Sequence, residues 1–518
     1  MPTMVEKLGL KSNPFEHYTA ETEPHIAEYA VRPPYLQAIV ARALARTPFI
    51  LFGDRGAGKS ATRLTLFNEI WAKKETEVRP LVVNFVDFTA ALPSLRKGAV
   101  PEDELIGEIA YLVIEQVLSW LASLTDQERA EYTEALNEDE VNLIIALLKA
   151  FYLSRPEMDR QRTMSDALRL LNRAWKTKSV LWASQRWDSL SGIVAAVIDA
   201  FTKKQAGVEV QAPVEKLLKS LAGTGGATSR TILQKLVDFV KIFPFSGIAI
   251  LVDKVDETDV TQNSADASSR LVHPILAHVQ LLEVENFSWL FFLWTQIKPY
   301  FESEKFFVRL DKIPHATIEW DDKFFAEMLD SRIKYFSNGK LRFADLFQPE
   351  IDVAEATRSI ISISMRSPRE LVRVMDTIVV EHDMRNASNP AGGLLTQQSI
   401  EEGLDKYVKE RISAVYPEKT LGQIYRLQDI VFINKDVQSA FRVNSQSART
   451  KIKNWEDAGL VKRTGTRAPE GDQGGQPPYE YTIVDTRVER LITRRLIKLE
   501  EFTGTPTDEP EQADETAS

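Results

Sequence analysis

The 518-residue sequence predicts an α/β core, a parallel sheet between helices, extended by a large helical insertion, a helical lid and a small C-terminal domain of three helices and a β-hairpin. Three observations predict it. A short apolar run, Thr47–Phe52, leads directly into the Gly-rich stretch Gly53–Ser60 and then into helical periodicity from Ala61 to Lys73, the strand–loop–helix order of a βα unit. Further runs at Leu81–Phe88, Gly247–Asp253 and Phe287–Thr295 are apolar on both faces, as strands buried between helical layers are. Elsewhere, long stretches repeat apolar residues every three or four positions.

The elements follow in order. Residues 1–46 form a lead-in with Asn13-Pro14-Phe15, the segment Tyr29–Tyr35 and a helix over Leu36–Arg46. Residues 47–100 and 244–316 make the α/β core, with a helix around Ser269–Val284. Residues 101–243 read as the helical insertion, with helices at Leu105–Leu124, Val141–Tyr152, Ser165–Trp175, Leu190–Phe201 and Thr231–Ile242, and a Gly-rich patch at Ala222–Gly226. Its four tryptophans, Trp120, Trp175, Trp182 and Trp187, are expected in the helical core. Residues 317–414 give the lid, with helices at Asp321–Phe336, Val353–Met365, Pro368–His382 and Gln397–Ala414. Residues 415–500 show helices at Gln423–Phe432, Lys435–Phe441 and Ser445–Ala458. Strands at Leu460–Arg463 and Tyr479–Val484 follow, separated by a Gly/Pro loop. Three helices and a hairpin match a winged helix-turn-helix whose wing is that loop. Residues 501–518 read as a disordered acidic tail.

Composition narrows the function. With no cysteine there are no disulfides, zinc ribbons, iron–sulfur clusters or thiol nucleophiles, and a reducing, cytoplasmic setting is expected. The start lacks a signal-peptide pattern, and no apolar stretch is expected to be long enough to span a bilayer. The six histidines form no HExxH, and no GxSxG is present, so no protease or nuclease centre is visible. Net charge is −10, yet residues 415–500 carry fifteen Lys and Arg against eleven Asp and Glu, a local basic surface in an acidic chain.

The Gly-rich stretch carries the chemistry. Gly53-Asp54-Arg55-Gly56-Ala57-Gly58-Lys59-Ser60 has the spacing of a P-loop: glycines let backbone N–H groups and the helix start converge on phosphate, Lys59 faces the β and γ phosphates, and the Ser60 hydroxyl is placed for Mg²⁺. Ala61 continues the same cradle. A phosphate-bound Mg²⁺ needs a strand-end carboxylate, and Asp253 stands there, followed by Lys254, Asp256 and Glu257. Asp256 or Glu257 would orient or deprotonate water, the alternative for strand-end acids such as Asp253 and Glu257 being simply to solvate the loop. In the basic C-terminal segment, Arg449, Lys451 and Lys453 on the expected recognition helix, with Lys462, Arg463 and Arg467 beyond it, would meet duplex DNA. Ile452, Trp455 and Leu460 would face the core. Winged helices also dock proteins, and that reading stays open.

The pair GDRGAGKS and ILVDKVDE resembles the AAA+/STAND class of P-loop ATPases, with Lys254 departing from the small or acidic residue usual at its position. The resemblance implies ATP and Mg²⁺ as cofactors, a homo-oligomer, and further site residues. Val31 and Arg32 lie where initiator-like members contact the base. Thr295 and Gln296 lie at the sensor 1 position. Arg309 lies where an arginine finger serves a neighbouring subunit, and Arg369, in Ser367–Leu371, at the sensor 2 position. Expected function is an ATPase coupling its nucleotide state to DNA engagement or assembly. A STAND-type switch with a protein effector, or a translocating motor, is the alternative.

Overall fold

The computed structural model describes residues 2–23, 25–73, 79–156, 160, 211–222, 226–262, 264–386, 392–467 and 477–498. The expected helices Ser165–Trp175 and Leu190–Phe201, the tryptophans Trp175, Trp182 and Trp187, most of the Gly-rich patch near residue 224, the wing loop and the acidic tail lie outside the described residues. Helices of eight residues or more are numbered below. The chain forms two compact units, residues 19–319 and residues 1–18 with 320–518.

The first unit is built on a parallel five-stranded sheet of order β2-β3-β4-β1-β5. Its strands are β1 (Phe49–Gly53), β2 (Leu81–Phe85), β3 (Ile248–Val252), β4 (Phe287–Trp294) and β5 (His315–Thr317). β1 and β3 are buried at every position, and so are seven of the eight residues of β4. That is why the sequence shows no alternation there. Helices α1 (Pro34–Ala45) and α2 (Lys59–Trp71) pack on the central strands. Strand β5 escaped the sequence reading because His315-Ala316-Thr317 is short and mostly exposed; it is recruited by pairing to β1.

The helical insertion begins with α3 (Glu102–Ser123), which packs on β2, and continues through α4 (Asp126–Glu134) and α5 (Glu138–Leu147). Within it, α6 (Gln211–Leu221) and α7 (Gly226–Lys241) return the chain to β3, ahead of α8 (Ala265–Leu276). One expectation fails here. By length and composition α3 could cross a bilayer, although none was expected to. Its most apolar window is 83% buried inside the protein, the signature of a core helix. Trp120 sits in that core, edge-on to Phe243 and Phe245.

The second unit holds α9 (Asp322–Phe336), α10 (Val353–Ile363), α11 (Pro368–Arg385) and α12 (Gln397–Ile412). The lead-in, read from sequence as one segment, divides: its first eighteen residues belong to this unit. Asn13 donates to Asp376 (2.7 Å), Lys11 N–H to the Phe336 carbonyl (2.9 Å), and Phe15 is buried. The C-terminal part comprises α13 (Glu418–Leu427), β6 (Val431–Ile433), α14 (Asn434–Phe441), α15 (Ser445–Asp457), β7 (Val461–Thr466), β8 (Tyr479–Ile483) and α16 (Thr486–Thr493). Its antiparallel sheet has three strands in the order β6-β8-β7, not the expected two. The helix expected over Gln423–Phe432 ends at Leu427, because Gln428 turns left-handed (φ 58°) and Val431–Ile433 then pairs with β8. With that correction the topology is that of a winged helix.

Candidate nucleotide site and basic surface

Each part of the loop has a local reason for its position. β1 ends at Gly53, where a Cβ would lie 3.0 Å from Ile318 Cδ1 and 3.3 Å from Lys59 Cγ. Gly56 and Gly58 take φ of 77° and 93°, a region open to glycine at little steric cost. Ala57 N–H closes the turn on the Asp54 carbonyl (3.1 Å). α2 then starts at Lys59 with Gly58 as its N-cap and no side chain capping it, so its amide donors and positive dipole end face the loop. Lys59 Nζ lies across the loop, donating to the carbonyls of Gly53 (2.9 Å) and Asp54 (3.2 Å).

Ser60 and Asp253 meet from opposite elements. Ser60 Oγ, on the first turn of α2 beside half-buried Ala61, donates to Asp253 Oδ2 at 2.8 Å, just past the end of β3. Arg63 Nε donates to the same oxygen at 3.0 Å, and Oδ1 takes neither bond. This oxygen set suits Mg²⁺ carried on phosphates, which needs only one or two protein ligands. Among the described residues no cluster of three or more His, Asp or Glu forms a separate metal cage. Between the two strands that bear the loop and Asp253 lies β4, in register so that Trp294 sits opposite Gly53. The next residue, Thr295, has a buried hydroxyl oxygen with no hydrogen-bond partner, an orphan that a phosphate oxygen or a water would satisfy. Gln296 beside it is exposed.

The acids after β3 separate by environment. Asp256 is 2% exposed; its carboxylate accepts from Arg55 Nε at 3.0 Å, and its carbonyl accepts from the same guanidinium, which also lies over the Trp294 ring. Two positions expected to act on ligand, Arg55 and Asp256, therefore brace the loop against the end of β3. Glu257 is exposed.

Beyond this cluster the sequence-predicted positions diverge. Val31 is half-buried, and Arg32 donates to Glu69 of α2 at 3.2 Å. Arg309 is exposed and closed in a two-bond pair on Asp311 (2.9 and 2.8 Å), so use as a finger in an assembly would require breaking that pair. Arg369 stands on the first turn of α11 in the second unit.

Sequence reading missed the layer behind Asp253. Arg63 is 2% exposed and makes three further-reaching bonds: Nε to Asp253, one terminal nitrogen to Asn84 Oδ1 (2.6 Å), the other to Glu21 Oε1 (3.1 Å). Glu21 Oε1 also takes Lys254 Nζ at 3.0 Å. Burial pushes the Glu21 carboxyl up, but Lys254 and then Arg63 outweigh it and hold its pKa below the ordinary glutamate value. The one available signal was Arg63 itself, a charge beside the buried apolar residues Leu64, Leu66 and Phe67.

In the winged helix, Ala448, Ile452 and Trp455 of α15 are buried and Leu460 joins them, which leaves Arg449 and Lys453 exposed on the opposite face. Lys462 and Arg463 are exposed on β7, Arg463 lying over the Tyr479 ring at 3.2 Å. Lys451 is half-buried with its amine 5.2 Å from the Phe441 ring centre. Arg467 departs from expectation: it donates to Glu480 (3.0 Å) and the Val431 carbonyl (3.4 Å) and pairs with Asp436, stapling the sheet.

No family model matches this sequence, and no curated protein matches it. Among solved structures, it is similar to the Aeropyrum pernix ORC1 protein in complex with DNA, at 11% identity and a TM-score of 0.32, covering 92% of this chain and 98% of that one. Cdc6p from Pyrobaculum aerophilum gives 11% identity and 0.33 over 90% and 97%. The Aeropyrum pernix ORC2 protein in ADPNP–ADP complexes gives 10% and 0.30 over 91% and 98%.

Proposed function

We propose that the chain is an ATPase of the AAA+ kind, which binds ATP with Mg²⁺ in the Gly53–Ala61 cradle, hydrolyses it, and couples the nucleotide state to duplex DNA through the winged helix. The observation that carries the first half is the Ser60–Asp253 contact at 2.8 Å, which joins the phosphate loop to a strand-end carboxylate. Ser60 and Asp253 would hold the ion, which when bound would neutralise phosphate charge. Lys59 would exchange its carbonyl partners for phosphate oxygens, the uncapped α2 N-terminus would face the same charge, and Thr295 would hold a phosphate oxygen or the attacking water. Glu257 is the acid proposed to act on that water, since Asp256 is committed to Arg55.

The DNA half draws on the exposed set Arg449, Lys453, Lys462 and Arg463. Nothing observed favours the signalling-switch alternative or its protein effector. The test is phosphate release from ATP by the full chain, with Mg²⁺ and with EDTA, and with and without duplex DNA. Release is expected only with Mg²⁺ and is expected to change on adding duplex. No release with Mg²⁺, or equal release in EDTA, would overturn the assignment.

A further inference from the structure

We propose that Glu21, acting through Arg63 and Lys254, is a positioning residue that sets how tightly Asp253 serves Mg²⁺, so that the segment ahead of α1 tunes the nucleotide site. The inference rests on the Mg²⁺–nucleotide reading above and goes beyond it. Four charges form one chain: Asp253, Arg63, Glu21 and Lys254, linked at 3.0, 3.1 and 3.0 Å. Arg63 and Asp253 are 3% and 1% exposed at their side chains, so their interaction is little screened by salt. The guanidinium shares Oδ2 with Ser60 and withdraws negative charge from the carboxylate that a cation would use.

Glu21 offsets that. Its carboxylate faces the outer nitrogen of Arg63 and returns one negative charge, while Lys254 takes part of it back. This gives a use to Lys254, the residue that departs from the usual pattern. Its backbone is left-handed (φ 63°), uncommon for a lysine, and its amine reaches Glu21 rather than the phosphate loop. Outer partners of metal ligands commonly change metal affinity by about 10- to 100-fold when removed.

The sign separates an electrostatic role from a merely structural one. Glu21→Gln keeps an acceptor oxygen but deletes the negative charge, so Arg63 weakens Asp253 further. Lys254→Met deletes the opposing positive charge and pushes the other way. The experiment titrates Mg²⁺ into the full chain with ADP, following the melting temperature, and repeats ADP alone in EDTA. Glu21→Gln is expected to need about ten-fold more Mg²⁺, Lys254→Met less than wild type, and the double variant close to wild type, with ADP binding in EDTA unchanged throughout. If both single variants weaken Mg²⁺ uptake, or neither moves it, the proposal is wrong although the nucleotide site stands. If wild type itself shows no Mg²⁺-dependent shift with ADP, the nucleotide reading and this proposal fail together.

Discussion

Two arginines and three acids decide how this site divides its work. Arg63 holds Asp253 and Arg55 holds Asp256, each a pairing across the gap between α2 or its loop and the end of β3. Asp256 is buried and closed on a guanidinium while Glu257 is exposed, and the proposed action on water falls to Glu257. Glu257→Gln is therefore expected to bind ATP normally and to turn it over at least about 100-fold more slowly. Asp256→Asn is expected to loosen the loop, with weaker ATP binding and a lower melting temperature but measurable turnover. Single-turnover kinetics beside equilibrium binding distinguishes them. Normal hydrolysis by Glu257→Gln with a dead Asp256→Asn would reverse the roles. These pairings were not legible in the sequence, because Arg63 is 190 positions from Asp253 and Arg55 is 201 from Asp256. The loop itself was legible because its glycines, lysine and serine are contiguous.

At the scale of elements, sequence periodicity located α2, α3, α9, α11 and α15 to within a few residues, since each buries one face or is buried all round. It failed where pairing, not periodicity, makes the element: β5 and β6 have three residues each. The insertion also hides a titrating group. On α3, Glu115 is 1% exposed, and burial pushes its carboxyl from the ordinary 4.5 up to about 8, against the opposing hydrogen bonds of Tyr152 and Ser119. Between those two values the folded chain keeps a proton that the unfolded chain has released. Stability from this group is therefore greatest below about 4.5 and falls as pH rises toward about 8. Urea unfolding between pH 5 and pH 8 is expected to show that decline in wild type and a flatter profile in Glu115→Gln. Parallel profiles would mean that Glu115 is not the group responsible.

At the scale of the whole molecule, one unit carries the Gly53–Ala61 loop and the other a winged helix with exposed basic residues. With Arg467 committed to Glu480 and Lys451 half-buried, Arg449, Lys453, Lys462 and Arg463 are the exposed members of the six bases expected to meet DNA. Four phosphate contacts predict a slope of about −3.6 for log affinity against log salt, and neutral replacement of Lys462 and Arg463 should flatten it by about 2. Fluorescence anisotropy with duplex DNA at several salt concentrations, with and without ATP, measures this. An unchanged slope in the variant would move the contact surface elsewhere, and no binding at low salt would favour a protein-docking role for the domain.

Binding of a Mg²⁺–nucleotide by Gly53–Ala61 is read out by ligand-dependent thermal stability. At about 100 times its dissociation constant, a ligand stabilises the folded state by about 2.7 kcal/mol. ATP with Mg²⁺ is expected to raise the melting temperature of the wild-type chain and to leave Lys59→Ala unmoved, each shift being taken against the same protein without ligand. Equal shifts in both, or no shift in either at millimolar ATP, would contradict it.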